Sequence, residues 1–408
     1  MNLNEAKSKL SKVGQEHILK YYDELSEIEK ESLIDQIDLV DFSVLESISN
    51  KDSAIRKGVI TPIEAMDLAE IDSKREEYEE IGLRAISNGE VGAVLLAGGM
   101  GTRLGSDDPK GMYNIGITKD VFIFERIIAN LMEVVNRSGS YIHLFIMTSD
   151  KNHTRTTEFL KEKNYFGYSK DFIHFFRQGM APASDYKGKV FMEEKGKIAC
   201  SPNGNGGWYS SMATNGILDT IKRSGIKWLN VFAVDNVLQR IADPCFIGAT
   251  IAKNCSVGAK VVRKCSPDEK VGVMCLEDGR PSIVEYYELT EAMINEKNDK
   301  GEPAYNFGVI LNYLFKVEDL DNILDKEMPY HLVEKKIQYI DDNGMIIKPT
   351  EPNGYKFEVL ILDMIHLMDS CLPYEVIREK EFAPIKNRSG VDSVDTAREL
   401  CKLNGIEL

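Results

Sequence analysis

The sequence predicts an α/β fold with a Rossmann-like, doubly wound and mostly parallel sheet. From about residue 91 onward, short apolar runs typical of buried strands alternate with longer segments whose apolar residues recur at helical spacing. Polar residues or glycines follow several of those strands directly. The 408 residues, of which 43% are hydrophobic and 28% charged, have the composition of a globular protein with two or three structural units. Ligands of such sheets bind at the carboxyl ends of the strands, and the candidate residues are sought there.

The first 85 residues predict a helical N-terminal domain. Leu25, Ile28 and Leu33 recur at helical spacing among many acidic and basic residues. Thr61-Pro62, followed by IEAMDLAE, predicts the start of a further helix with proline in its first turn. Because no residue pattern in this segment indicates chemistry, we interpret it as a packing and positioning domain.

Residues 86–336 predict the main α/β domain, and residues 337–408 a small C-terminal domain. The pattern becomes irregular after about residue 337, where Pro349, Pro352 and Pro384 interrupt it around one helix-like run, VLILDMIHLMDS. In the main domain, the predicted elements in chain order are VGAVLLA (strand), VFIFERIIANLMEVV (helix), YIHLFIMTS (strand), TRTTEFLKEK (helix), FIHFF (strand), SSMATNGILDTIKRSG (helix) and KWLNVFAVD (strand).

Charge and cysteine content exclude some classes of function. The formal net charge of −15 argues against a nucleic-acid-binding surface, where basic clusters are expected. A phosphate site would need local cations on this acidic background, which also favours a divalent cation. The seven cysteines form no C-x-x-C pair, so we expect reduced thiols and no zinc site. Without a membrane-length apolar run or a signal-like start, we expect a cytoplasmic protein with no membrane partner.

A glycine-rich loop follows the first predicted strand of the main domain. Gly98, Gly99, Gly101 and Gly105 surround Arg103, and Lys110 lies just beyond. Glycine lets the backbone approach a ligand and point N–H groups at anionic oxygens, which the cations neutralise. The spacing matches neither the Walker A pattern nor G-x-G-x-x-G, so those two phosphate loops are excluded. An ordinary glycine-rich βα turn is the alternative.

These motifs resemble those of a known family. LAGGMGTRLG followed by PKGMY is similar to the signature of the UDP-sugar pyrophosphorylases, and within that family to the UDP-N-acetylhexosamine pyrophosphorylases. The resemblance covers almost the whole chain. Further matching motifs, in order, are IMTSD, FFRQGMAP, SPNGNGGWY, VFAVDN, VGVMC, VEYYEL, KPTEPNGYKFE and APIKN.

The resemblance implies a nucleotidyltransferase that uses UTP and a sugar 1-phosphate. The implied reaction makes UDP-N-acetylglucosamine and pyrophosphate from UTP and N-acetylglucosamine 1-phosphate, through Mg²⁺-assisted attack of the sugar phosphate on the α-phosphorus. A glucose 1-phosphate or broad-specificity enzyme is one alternative. A non-catalytic nucleotide-sugar binding protein is another, and it predicts loss of Lys110 or Asp235, both of which are present. The resemblance leaves the oligomeric state open.

The family motifs imply which residues carry the charge chemistry. Arg103, Lys110 and Lys386 match catalytic residues that contact the phosphates. Asp235, at the end of a very apolar strand, matches the Mg²⁺ ligand, and a hard cation that keeps several waters suits one carboxylate. The alternatives are a solvated loop charge for Arg103, a helix cap for Asp235 and a surface position for Lys386.

Further residues match the nucleotide and sugar contacts of the family. The predicted sugar-binding residues are Gly272, Glu285, Asn306 and Lys356, and the predicted nucleotide-binding residues are Leu96, Ala97, Gly98, Gly99, Gln178, Gly204 and Asn205. A glutamine amide offers both the donor and the acceptor that uracil needs. A polar turn at residues 202–207, a solvent-facing Glu285 and a surface Lys356 are the alternatives.

One position departs from the family pattern. The N-acetylhexosamine enzymes carry a second asparagine in the F-N-x-G-N-I motif, and Val309 stands there in this chain. In the family that asparagine contacts the sugar, so one hydrogen-bond partner is missing, typically worth about 0.5–1.5 kcal/mol. The substitution bears on which sugar is used more than on the type of reaction.

Overall fold

The computed structural model describes residues 1–49 and 58–408, which form two compact units. The first contains the described residues of Met1–Lys57 together with Gly179–Gly207 and Glu327–Ile361, and the second contains Gly58–Gln178, Trp208–Lys326 and Leu362–Leu408. This division differs from the three consecutive segments predicted from the sequence. Residues 179–207 and 327–361 join the N-terminal helices, and residues 337–408 are therefore divided between the units.

Helices occur along the whole described chain. They are α1 (Leu3–Lys12), α2 (Glu27–Leu39), α3 (Glu46–Ser49), α4 (Leu68–Ser73), α5 (Arg75–Ser87), α6 (Ile123–Ser138), α7 (His153–Glu162), α8 (Trp208–Thr214), α9 (Ile217–Ser224), α10 (Pro244–Ala252), α11 (Glu291–Asn295), α12 (Val317–Ile323), α13 (Ile361–His366), α14 (Arg378–Glu381) and α15 (Val394–Leu403).

The strands alternate with these helices most regularly in the second unit. They are β1 (Ile60–Pro62), β2 (Val91–Leu96), β3 (His143–Thr148), β4 (Ile173–Arg177), β5 (Met180–Pro182), β6 (Ser184–Asp185), β7 (Met192–Glu194), β8 (Lys197–Ile198), β9 (Cys200–Pro202), β10 (Trp228–Ala233), β11 (Val257–Arg263), β12 (Val273–Glu277), β13 (Arg280–Val284), β14 (Phe307–Lys316), β15 (His331–Lys335), β16 (Tyr339–Ile340), β17 (Ile346–Ile347), β18 (Gly354–Glu358) and β19 (Cys371–Glu375).

The second unit is built on a mixed ten-stranded sheet whose main path is β1-β12-β14-β10-β2-β3-β4. Strands β10, β2, β3 and β4 are parallel, whereas β14 pairs antiparallel with β10, β11 and β12. β13 pairs with β12, and β19 pairs parallel with β11. The predicted α/β class with a largely parallel central sheet is confirmed. From the β10–β14 pair onward, the sheet is antiparallel except for the pair of β11 and β19.

The parallel strands lie in the hydrophobic core of this unit. Every residue of β2 is buried, as expected of a parallel strand covered on both faces. Ala93 and Leu95 of β2 share one core cluster with Ile127 and Leu131 of α6. α6 presents these side chains at helical spacing and ends at Gly139 in the left-handed region, with φ of 68°. The packing fixes β2, and thereby the loop that follows it.

The first unit contains short sheets and the N-terminal helices. α1 and α2 begin with capping boxes at Asn2 and Ser26, in which side chain and backbone exchange hydrogen bonds with the third helical residue. Leu10 and Leu33 of these helices share a core with Val190. The sheets are β15-β18-β6, β16-β17, β5-β9 and β7-β8.

The helical prediction for residues 1–85 is only partly correct. Residues 50–57 lie outside the described residues. Ile60–Pro62 forms β1, paired antiparallel with β12, so the predicted helix start at Thr61-Pro62 is wrong. The helix begins instead at Leu68, where the Asp67 side chain accepts from the N–H of Glu70. Pairing with a distant strand decides this segment, and local propensity cannot reveal it.

In the part of the chain that the structure describes, no helix combines the length and the apolar character needed to cross a bilayer.

Candidate active site

The four parallel strands of the second unit end at one edge of the sheet. Ala233 of β10 pairs with Leu96 of β2, and Thr148 of β3 pairs with Arg177 of β4. The residues after these strands therefore lie along the same edge, as periodicity alone predicts. The N–H of Gln178, directly after β4, donates to the carbonyl of Thr148 at 2.7 Å.

The glycine loop after β2 is closed by its own backbone. The N–H of Gly101 donates to the Asp108 carbonyl at 2.8 Å, and the N–H of Lys110 donates to the Gly99 carbonyl at 3.1 Å. Among the described residues, nothing accepts a hydrogen bond from the N–H groups of Gly98, Gly99 or Met100. Consecutive N–H groups without a protein acceptor can bind the oxygens of a phosphate.

Gly98 meets Gln178 at very short range. A Cβ atom at position 98 would lie 2.7 Å from the Gln178 Oε1 atom, so any side chain there would displace the end of the Gln178 side chain. The Gln178 side chain, 8% exposed, lies against the loop at the edge of the sheet. The structure therefore brings together two residues that the sequence assigns to the nucleotide.

The start of the loop is held by a residue that the sequence reasoning missed. Asn152, fully buried, donates from Nδ2 to the Ala97 carbonyl at 2.9 Å and accepts at Oδ1 from the N–H of Ser149 at 2.8 Å. Its amide ties the turn after β3 to the turn after β2. The sequence feature that could have identified Asn152 is its place directly before α7, a position where asparagine often caps a helix. Leu96 and Ala97 are themselves buried.

Lys110 and Asp235 form the charged centre of this edge. Lys110 Nζ lies 3.9 Å from Asp235 Oδ2, and the two side chains are 10% and 23% exposed. Burial lowers the pKa of Lys110; Asp235 opposes this shift, and the nearby charges of Arg103 and Lys386 add to it. Arg103 and Lys386, the other two predicted catalytic cations, are therefore each close enough to Lys110 to lower its pKa further.

Asp235 is not the cap of the next helix. It lies in a turn after β10, and α10 begins at Pro244 with Asp243 as its N-cap. Within the described ranges 1–49 and 58–408, no three His, Cys, Asp or Glu residues cluster as a metal cage. One half-buried carboxylate beside a phosphate loop nevertheless fits Mg²⁺, which takes one or two carboxylates, several waters and substrate phosphates.

Lys386 belongs to a segment that runs beside Asp235. The N–H of Ile385 donates to the Asp235 carbonyl at 2.9 Å, so Lys386 follows directly after an anchored residue. Its ammonium pairs with Asp392 at 3.0 Å and remains 42% exposed. This placement argues against the alternative of an ordinary surface lysine. Asn236, inside the VFAVDN motif, is a second residue that the sequence reasoning missed, although it follows Asp235 directly.

Gly272, Glu285 and Val309 lie close together on the antiparallel side of the sheet. A Cβ atom at Gly272 would lie 3.5 Å from Val309 Cγ2 and 3.6 Å from Glu285 Oε1. The N–H of Val309 donates to the Gly272 carbonyl at 2.9 Å. Asn306, 9% exposed, lies just before β14, and its carbonyl and side-chain oxygens accept from the N–H of Lys264. Val309, the residue that differs from the family pattern, therefore lies close to Glu285.

The remaining predicted residues belong to the first unit. Gly204 has φ of +91°, and a Cβ atom there would lie 2.2 Å from the Val359 carbonyl oxygen, so only glycine fits. Asn205 Oδ1 accepts from the N–H of Ile361 at 3.0 Å, at the start of α13. Lys356 lies in β18, opposite Val333 of β15. The assignment of all three to ligands stays a prediction.

The chain is similar to a known class of nucleotidyltransferases over most of its length. Residues 42–404 match the family model described as UTP–glucose-1-phosphate uridylyltransferase. Because this match spans most of the chain, the protein belongs to that family, and the predictions of an enzyme and of a UDP-sugar pyrophosphorylase are confirmed.

Three relatives whose names specify the sugar are similar to this chain over most of its length. The chain is 35% identical to the UDP-N-acetylglucosamine pyrophosphorylase of Saccharomyces cerevisiae over 95% of this chain and 84% of the relative. It is 36% identical to UDP-N-acetylglucosamine diphosphorylase 2 of Arabidopsis thaliana, over 96% of this chain and 82% of the relative. The solved uridine diphosphate N-acetylglucosamine pyrophosphorylase of Trypanosoma brucei aligns with a TM-score of 0.82 at 28% identity, covering 96% of this chain and 83% of that chain.

Proposed function

We propose that this enzyme is a uridylyltransferase that makes UDP-N-acetylglucosamine and pyrophosphate from UTP and N-acetylglucosamine 1-phosphate. One observation carries the proposal. A glycine loop with three N–H groups that have no described acceptor lies beside Lys110, which is 3.9 Å from Asp235. Both partners of that pair are present, which argues against a non-catalytic nucleotide-sugar binding protein.

The reaction requires two negatively charged substrates to bind next to each other. A sugar phosphate oxygen attacks the α-phosphorus of UTP, and pyrophosphate leaves, so the protein must hold two anions in line and stabilise the charge that develops. In the proposed mechanism the loop N–H groups and Arg103 bind the triphosphate. Lys110 and Lys386 neutralise phosphate oxygens at the reacting centre. No residue has to form a covalent intermediate with the nucleotide.

Asp235 is the proposed Mg²⁺ ligand. Bound there, the ion would supply positive charge against the phosphate oxygens. Lys110 Nζ, 3.9 Å from the same carboxylate, would keep the free carboxylate compensated. Gln178, at the edge beside Gly98, is the proposed uracil contact, because its amide offers a donor and an acceptor on one plane. The parallel order β10-β2-β3-β4 supports the further proposal of a Rossmann-like, doubly wound sheet.

Glu285 is the proposed acceptor for sugar hydroxyl groups. Its carboxylate lies beside Gly272, since a Cβ atom there would be 3.6 Å from Glu285 Oε1. Val309 contributes methyl groups to the same place, where an asparagine would offer a hydrogen bond. That observation favours glucose 1-phosphate, or a broad range of sugars, as the second candidate. The names of the relatives favour the acetamido sugar.

Pyrophosphate release tests both candidates together. The enzyme is mixed with UTP, Mg²⁺ and, in turn, the 1-phosphates of N-acetylglucosamine, N-acetylgalactosamine, glucose and galactose. We expect release to be fastest with N-acetylglucosamine 1-phosphate. Preference for glucose 1-phosphate would replace the first candidate by the second, and no release with any sugar would overturn the assignment of the reaction. The cytoplasmic location stays a prediction.

A further inference from the structure

The segment that carries Lys386 is held along the turn that carries Asp235. The N–H of Ile385 donates to the Asp235 carbonyl at 2.9 Å, and the N–H of Val237 donates to the Ala383 carbonyl at 3.4 Å. The two stretches pair in antiparallel fashion around Asn236 and Pro384. The position of Lys386 therefore depends on how well this short pairing is maintained.

The backbone pairing of this segment consists of two hydrogen bonds, which flank the Asn236–Pro384 pair. The Asn236 side chain adds two further connections to the segment: its Oδ1 accepts from the N–H of Ala383 at 2.9 Å, and its Nδ2 donates to the Glu381 carbonyl at 2.7 Å. Asn236 is 2% exposed, so these bonds are shielded from water.

The far end of the segment is anchored as well. The Glu381 carboxylate accepts from Lys260 Nζ at 2.6 Å, and Lys260 also bonds Asp243 at 3.0 Å. All three side chains are buried, and the two carboxylates outweigh the effect of burial and raise the pKa of Lys260. Glu381 is thus fixed by its side chain on one side and, through Asn236, by its carbonyl on the other.

We propose that Asn236 is a positioning residue, whose amide fixes Lys386 relative to Asp235 and Lys110. The proposal rests on the proposed function, in which Lys386 acts on the phosphates. Asn236 itself needs no contact with substrate. Two of its side-chain hydrogen bonds reach Glu381 and Ala383, and a third, from the N–H of Leu238 at 3.3 Å, stays within its own turn. The N–H of Ile385, the neighbour of Lys386, donates to the carbonyl of Asp235, the residue before Asn236.

A buried asparagine can also act as a general structural brace, and the chain offers a matched control. Asn130, 9% exposed, donates from Nδ2 to the carbonyls of Val237 and Gln239 at 3.2 and 3.0 Å. It braces the same turn, and none of its hydrogen bonds to described residues reaches residues 381–386. Loss of general rigidity should affect both positions, whereas loss of positioning should affect Asn236 alone.

A double-mutant cycle separates these roles. Asn236→Leu and Asn130→Leu are each made alone and together with Lys386→Ala, and kcat and KM for pyrophosphate release are measured. We expect Asn236→Leu to lower kcat by roughly 10- to 100-fold, since small displacements of a catalytic group have effects of this size. The pair with Lys386→Ala should be no slower than Lys386→Ala alone, whereas the effect of Asn130→Leu should multiply. Independent, multiplying effects for Asn236, or an unchanged kcat, would overturn the proposal.

Amide hydrogen exchange keeps the test independent of the proposed reaction. In Asn236→Leu we expect the N–H groups of Ala383 and Ile385 to exchange roughly tenfold faster, and in Asn130→Leu to exchange as in the parent. Unchanged exchange would overturn the proposal even for an active enzyme. An inactive parent with accelerated exchange would overturn only the proposed function. If Asn236→Leu does not fold, Asn236→Ser, which retains a smaller polar group, takes its place in both measurements.

Discussion

The central sheet of the second unit has two sides that are built differently. On the phosphate side, which comprises the glycine loop of residues 98–110 and Asp235 at the ends of the parallel strands, backbone hydrogen bonds close the loop and the buried amides of Asn152 and Asn236 hold its surroundings. On the sugar side, which comprises Gly272, Glu285 and Val309 on the antiparallel strands, a few side chains surround a glycine. In the proposed function, the phosphate side determines the reaction, and the sugar side determines the choice of sugar.

The two sides should differ in how a substitution affects the use of different sugars. On the phosphate side, the Asn152 amide holds the start of the loop, and a side chain at position 98 would displace the end of the Gln178 side chain. On the sugar side, Val309 occupies a position where a polar residue is sterically conceivable, because valine and asparagine are similar in size. Variants on the first side should affect every sugar equally, and variants on the second should distinguish between sugars.

Replacement of the proposed metal ligand should have the largest effect. Asp235→Ala is expected to lower kcat for all four sugar 1-phosphates by at least about 10³-fold, because metal-assisted charge stabilisation amounts to several kcal/mol. The fold should persist, as judged by circular dichroism. Asp219→Ala, which changes an exposed aspartate, serves as the control. Near-normal turnover in Asp235→Ala would show that the metal assignment is wrong.

Removal of the buried Lys110 ammonium should have the second-largest effect on kcat. Lys110→Ala is expected to lower kcat by roughly 10²- to 10³-fold, the usual effect of losing one group that stabilises transition-state charge. The loss should be similar for every sugar. The matched control is Lys119→Ala, at an exposed lysine in the same region. If the loss depended strongly on the sugar, the division between the two sides would be incorrect.

A change on the sugar side should alter binding rather than chemistry. Glu285→Gln is expected to raise KM for the sugar 1-phosphate by roughly 10- to 100-fold, since a hydrogen bond to a charged group is worth about 1.5–3 kcal/mol. KM for UTP should stay within about twofold. Steady-state kinetics with each substrate varied in turn give both constants, and Glu291→Gln in α11 is the control. A change confined to KM for UTP would contradict this role.

The smallest effect is expected at the position that departs from the family. Val309→Asn should increase kcat/KM for N-acetylglucosamine 1-phosphate relative to glucose 1-phosphate by roughly 2- to 13-fold, as one hydrogen bond of about 0.5–1.5 kcal/mol permits. Competition between the two sugars in one reaction measures this ratio directly. An unchanged ratio would mean that Val309 does not face the sugar.

Much of the phosphate side could be predicted from the sequence. Short apolar runs and the helical spacing between them located β2, β3, β4 and β10, and the rule for parallel sheets then placed Gly98, Gln178 and Asp235 at one edge. The family resemblance added the roles of Lys110 and Lys386. The structure places these cations near one another, and it excludes the alternative that Asp235 caps a helix.

The rest depends on contacts between distant parts of the chain. Residues 179–207 and 327–361 join the N-terminal helices through apolar contacts that no local pattern reveals. β1 forms because Ile60 pairs with Glu277, more than two hundred residues away. Asn152 and Asn236 were missed for the same reason, since an asparagine shows its hydrogen-bond partners only once the chain has folded.

The most direct test of the account follows one phosphorus atom. UTP labelled at the α-phosphorus is incubated with the enzyme, Mg²⁺ and N-acetylglucosamine 1-phosphate, and the products are separated. If the phosphate side directs attack on the α-phosphorus, all of the label that leaves UTP will be in UDP-N-acetylglucosamine, and the pyrophosphate will be unlabelled. Label in pyrophosphate, or label released as UMP without the sugar, would contradict the account.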